Sequence, residues 1–374
     1  MGIEEHLEEY EPFWFRTFRF IQLEIEVGDE PLTLKEFAYR ETGYPLDVQG
    51  SFESSDKSLS PLWDISINTL QQCMHETYED CPYYEQLQYT MDTRLQILFT
   101  YNISGDDRLA RRAMYDFHSS LLPNGLLQSR YPSNNPQIIP GFSLYWVLMV
   151  YDHYLYFGDK ELVSMYRGTI DRVLHWFESQ INEQGMVGKI PKKYWAFVDW
   201  VDQWNDTNGV PKANEYGPLT VYSLMYVSAL NCAAELNEWT GRNEISKEYK
   251  KRAQNVKKAV MTYCWSEEKG LFRDGPNVEE YSQHAQVWAV LSEVVNRNSG
   301  TALMKTMLSD DTLPTVSYAM SYFMFRALSE TNLYGLSFEM WDTWRDMVKL
   351  NLTTWVEDNV VQRSDCHAWG SVPL

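Results

Sequence analysis

The stretch EDCPYYEQLQYTMDTR, residues 79–94, sets Asp80, Glu85 and Asp92 among three tyrosines, a proline and a cysteine. Carboxyls walled by rings lose hydration, which favours their protonated forms and suits them to proton transfer or to holding hydroxyl groups. Pro82 disfavours a helical Cys81, so the spacing predicts a helix over 60–79 that ends near Asp80. A new helix is then expected from Glu85 or Leu87. On it, residues 85 and 92 share one face two turns apart, with Asp80 on the loop before them. All three acids could face one cavity. An acidic first turn favoured by the helix dipole accounts for Asp80 and Glu85 as well, though less readily for Asp92.

Two further segments carry polar groups among indoles. KYWAFVDWVDQW, 193–204, holds Asp199 and Trp200 within three tryptophans. An acid beside a stacking wall suits a sugar subsite, and a loop anchored by buried tryptophans has the same composition. TTWVEDNVVQRSDCHAWG, 353–370, holds Glu357, Asp358, His367 and Trp369. Alone it carries no claim, because a His beside a Trp is more often packed than catalytic. Together the three segments offer carboxylates far apart in sequence. Glycoside hydrolysis needs such a pair: one acid protonates the leaving oxygen, and one carboxylate activates water or attacks the sugar.

These residues must be positioned by helices. Apolar periodicity predicts helices over 60–79, 87–103, 106–121, 140–157, 160–182, 217–240, 245–264, 279–297, 300–308, 315–330 and 336–351, with a further one after 366. Gly- and Pro-bearing breaks separate them, and Asp106, Asp159 and Ser246 stand where N-caps would. Eleven or twelve helices in successive hairpins fit an all-α (α/α)6 six-hairpin barrel. A solenoid would need a short fixed repeat, and none is visible. The helix-poor stretches 122–139 and 183–216 are long enough to be functional loops. Upstream, 13–27 and 32–44 are aromatic and β-branched with partial alternation, and read as strands. We therefore expect residues 1–50 to be the β remnant of a preceding β-sandwich domain and 51–374 to be the barrel.

The bulk properties exclude several classes. A net charge of −20 over 374 residues leaves no basic footprint for nucleic acid. The run KEYKKRAQNVKK, 247–258, reads as a solvated helix face. Five cysteines with no CxxC pair suggest neither a disulfide framework nor a zinc site, and the histidines form no HxxxH pair. No metal or cofactor is expected. No apolar run approaches the roughly 18–20 residues of a spanning helix. No leader opens the chain, so a cytoplasmic location is expected.

EDCPYYEQLQYTMDTR, LLQSRYPS, IIPGFSLYWV, FVDWV, TTWVE and CHAW occur in one order. In that order they resemble the bacterial α-L-rhamnosidases of glycoside hydrolase family 78, over about residues 13–374. The resemblance implies an (α/α)6 catalytic domain that removes terminal α-L-rhamnosyl residues with inversion. By motif, Glu85 is similar to the general acid and Glu357 to the general base. Asp80 and Asp92 resemble the acids that hold rhamnose hydroxyls. Trp146, Asp199, Trp200 and His367 resemble residues that contact or wall the sugar. Met91 stands where Gly commonly precedes the second Asp, and is expected to narrow the pocket or tilt Asp92. Members continue past GSVPL into further barrel sequence and a β-sandwich, so a fragment or a shortened homologue is expected. The implied partner is a rhamnose-containing glycoside or oligosaccharide, with no nucleic acid and no membrane; a homodimer is allowed. Two alternatives stay open: a six-hairpin glycosidase for another sugar, and a carbohydrate-binding chain without turnover.

Overall fold

The computed structural model describes residues 7–358 and 365–374. Helix α1 spans Ser60–Gln72, α2 Thr90–Ile103, α3 Arg108–Ser119, α4 Pro140–Phe157, α5 Lys160–Glu178 and α6 Thr220–Trp239. Then come α7 Asn243–Cys264, α8 Gln283–Leu291, α9 Arg297–Leu308, α10 Ser321–Glu330, α11 Ser337–Met340 and α12 Asp342–Lys349. The chain is mostly helical. Among the described residues, the only sheet is a hairpin of β1, Trp265–Ser266, and β2, Leu271–Phe272.

Helices α2, α4, α6, α8 and α10 make the inner layer. In α2, 13 of 14 residues are buried, so it has no solvent face. Long stretches of α4 and α6 are likewise buried on every side, as their nearly unbroken apolar sequences require. α2 packs on α4, α4 on α6, α6 on α8, and α8 on α10. Phe99 of α2 meets Tyr322 of α10 edge-on at 6.3 Å, so the two ends of this series touch. The odd-numbered helices are amphipathic. α7 buries Tyr249, Ala253, Val256, Val260 and Cys264, a helical stripe, and leaves its lysine-rich side in water. No helix among the described residues is long and apolar enough to cross a membrane.

Three local expectations are corrected. The strands at 13–27 and 32–44 are absent: this segment forms no ladder, and Phe13, Phe20 and Tyr39 are exposed. Alternation alone does not make a strand, because the backbone groups need a partner strand beside them. The helix expected from residue 85 or 87 begins at Thr90, after a turn at 82–85 and a positive φ at Gln86. Glu85 and Asp92 therefore do not share a helix face. Ser246 lies inside α7 and does not cap it, whereas Asp159 caps α5 by accepting from Leu162 N at 2.9 Å.

Candidate active site

Asp80, Glu85, Asp199, Trp200 and Glu357 lie in loops that precede inner helices or the chain's final 3₁₀ turn, Ala368–Gly370, and Asp92 lies in the first turn of α2. The first loop is closed on itself. Asp80 N donates to Leu87 O at 2.9 Å, and Leu87 N donates to the Asp80 carboxylate at 3.3 Å. It is also stitched to the next loop. Thr90 N donates to Ser129 O at 3.0 Å, Tyr131 N donates to Gln88 O at 3.0 Å, and Gln88 Nε2 donates to Tyr131 O at 2.8 Å.

Four acids meet here. Burial first, and then the charges of Glu85 and Asp92, push the Asp80 carboxyl well above the usual carboxylate range. Burial raises Asp92 to about 7, and the charges of Glu85 and Glu357 push in the same direction. Asp92 thus responds to acids from two segments more than 260 positions apart in the chain. Glu85 is exposed on its turn. Burial first, and then the neighbouring Glu85 carboxylate, raise the Tyr89 phenol. Arg130 Nη1 donates to Tyr89 Oη at 3.0 Å, with its guanidinium 5.8 Å from the ring centre. Arg130 was not singled out by sequence reasoning. The available signal was that Arg130 is the one cation in the loop 122–139.

The last segment is anchored through Trp355. This side chain is fully buried, and its indole N–H donates to Ser66 Oγ of α1 at 2.9 Å. Trp355 N donates to Thr69 Oγ1 at 3.2 Å, and His367 N donates to Trp355 O at 2.9 Å. Gly370 lies so close that a Cβ there would sit 2.8 Å from that of Trp355. Glu357 follows two residues later, with a carboxylate oxygen 3.6 Å from His367 Nε2. His367 in turn lies 4.9 Å from the Trp369 ring. Cys73, at the end of α1, ties both arms together: its Sγ is 3.9 Å from Asp80 O and 3.8 Å from Cys366 Sγ.

The remaining candidates divide. Trp200 is exposed and forms an aromatic wall with Trp195 (5.8 Å) and Phe197 (5.3 Å). Asp199 is buried and already engaged. It accepts from His284 Nε2 at 2.7 Å, Ser317 N at 2.9 Å and Ser317 Oγ at 2.6 Å, so it pins its own loop to the first turn of α8 and to the loop before α10. Trp146 is a correction. It is fully buried, donates to Met114 O of α3 at 3.1 Å, and packs on Tyr166 of α5, facing away from the acids. Its neighbour Tyr145, about 100° further round α4, faces the inner layer, where burial and the charges of Asp199 and Asp92 raise its phenol against the opposing charge of Arg94. Met91 is buried in the apolar core beside Asp92. Trp195 also lines a cavity of about 570 Å3 with Lys189, Lys192 and Tyr194; none of the four acids lines it, so volume alone does not locate the site.

Comparison with known proteins identifies the family and the fold. Residues 47–373 match the family described as the bacterial alpha-L-rhamnosidase 6 hairpin glycosidase domain. The fold is similar to that of the glycoside hydrolase family 78 rhamnosidase of Bacillus sp. GL1, with TM-score 0.81 and 25% identity, over 88% of this chain and 36% of that one. It is also similar to a rhamnosidase from Klebsiella oxytoca with rhamnose bound, with TM-score 0.78 and 21% identity, over 87% and 64% of the two chains. An uncharacterized protein of Borreliella burgdorferi is 25% identical over 228 residues, 58% of this chain and 44% of that protein. The chain spans less than two thirds of the length of each of these relatives. By the extent of the family match and the agreement in fold, the chain belongs to the bacterial α-L-rhamnosidase six-hairpin glycosidase family.

Proposed function

We propose that this chain hydrolyses terminal α-L-rhamnosyl residues with inversion, using Glu85 as general acid and Glu357 as general base. The observation that carries this reading is that Glu85, on the turn before α2, and Glu357, 3.6 Å from His367, both lie close enough to the buried Asp92 for their charges to raise its carboxyl. Glu85 stands on an exposed turn, reachable by a glycosidic oxygen, with its charge felt by the Tyr89 phenol. Glu357 is set beside His367, where it can take a proton from a water on the opposite face of the sugar. Asp80 and Asp92, both inclined to stay protonated, can donate to and accept from sugar hydroxyls. Trp200 supplies a stacking wall. Asp199 contributes by holding the loop that bears Trp200. The family match at 47–373 supports taking residues 51–374 as the catalytic unit.

The test is the anomer released first from an aryl α-L-rhamnoside, followed by proton NMR. Inversion yields β-rhamnose before mutarotation. Early accumulation of the α anomer would mean a covalent intermediate and would overturn the assignment of Glu357 as a base.

A further inference from the structure

The turn that carries Glu85 has little packed against it. Tyr83, Tyr84 and Glu85 are exposed. Gln86 adopts φ 51°, a left-handed conformation uncommon for a residue with a side chain. A cavity of about 290 Å3, lined in part by Trp14, Glu79, Gln86, Gln88 and Arg112, lies against it. With solvent on one side and a cavity on another, hydrogen bonds must hold the turn. Three are internal: Glu85 N donates to Cys81 Sγ at 3.4 Å, Gln86 N donates to Cys81 O at 3.1 Å, and Gln86 Nε2 donates to Pro82 O at 2.9 Å.

Two more arrive from the N-terminal segment. Trp14 Nε1 donates to Gln86 Oε1 at 2.9 Å, across 72 residues of sequence. Thr17 Oγ1 donates to Pro82 O at 2.6 Å, across 65 residues. Between them Phe15 stacks on His75, centroids 4.0 Å apart and planes 9° apart. His75 Nδ1 lies 3.3 Å from the carboxylate of Glu79, the residue before Asp80. The Trp14 donor can only face an oxygen, so it fixes which end of the Gln86 amide points outward and which reaches back to Pro82.

We propose that residues 14–17 are a strap on the Glu85 turn, with Trp14 and Thr17 acting as positioning residues for the proton donor. The inference rests on Glu85 being that donor, and its purpose follows from geometry. An acid displaced by about 1 Å from the leaving oxygen can lose on the order of a hundredfold in rate. A turn fastened at both Pro82 and Gln86 holds the carboxyl between them in place.

The experiment uses the full chain carrying Trp14→Phe, which keeps a ring and loses the N–H, together with Thr17→Val, which keeps the shape and loses the O–H. Hydrogen exchange over residues 81–87 should quicken by about tenfold, with α4 and α6 unchanged. On an aryl α-L-rhamnoside, kcat should fall by roughly tenfold with KM within about twofold, and the loss should shrink for a better leaving group. A purely structural role would lower the melting temperature without selective exchange at 81–87 or a change in kcat below melting. Unchanged exchange at 81–87 overturns the strap. Faster exchange with unchanged kcat overturns its positioning role. Glu85→Gln in the same assay separates the two ideas: if that variant keeps its turnover, the donor assignment fails while the exchange result still decides whether the strap exists.

Discussion

Asp92 owes its chemistry to position. Buried in the first turn of α2 and pressed by Glu85 and Glu357, it titrates near pH 7 in the folded chain and near 4 once unfolded. Between those values the folded chain holds a proton that the unfolded chain has released. Stability should therefore fall as pH rises from about 4 to 7, by up to a few kcal/mol, and level off above. Asp92→Asn should flatten that slope in urea titrations run across this range; an unchanged slope would mean that the pressure on Asp92 is absent. Residue identity was legible here and side-chain direction was not. Trp146 and Tyr145 are adjacent letters of one aromatic run, and only the packing of α4 between layers decides that Tyr145 faces the inner helices while Trp146 packs on Met114 and Tyr166.

At the scale of elements, α2 is the member on which the site depends, and a buried ion pair braces it. Arg94 Nε donates to Asp152 of α4 at 2.7 Å, and its guanidinium lies 5.7 Å from the Phe323 ring centre of α10. Both charged groups are buried. Asp152→Ala should cost about 3–5 kcal/mol by leaving Arg94 without its partner, whereas replacing both by Leu and Met should cost far less. Urea midpoints of the single and double variants would check this; equal losses would contradict it. The helices were readable because α4 and α6 are nearly unbroken apolar runs, α3, α5 and α7 carry apolar stripes, and the breaks carry Gly, Pro or Asp. The start of α2 was not. Glu85 was placed on the helix by spacing, but the turn at 82–85 and the positive φ of Gln86 delay the helix to Thr90. The segment 13–44 has the composition of strands and lacks a ladder to join, a property of tertiary context that no local pattern carries.

Across the whole molecule, a charge of −20 surrounds a site that is itself acidic. A neutral rhamnoside should be indifferent to this field. One with an anionic aglycone should be repelled, so its kcat/KM should rise with salt between about 10 and 150 mM while that of the neutral substrate stays level. Parallel salt responses would contradict the picture. The fold's contribution is to bring Asp80 and Glu85, from before α2, together with Glu357, nearly three hundred residues later, around one buried Asp92. That convergence is the central claim, and Glu85→Gln tests it most directly. On an aryl α-L-rhamnoside with a poor leaving group the variant should lose about a thousandfold or more in kcat, recover much of that loss on a highly activated leaving group, and melt within a few degrees of the parent. Turnover equal to the parent's on the poor leaving group would contradict the account.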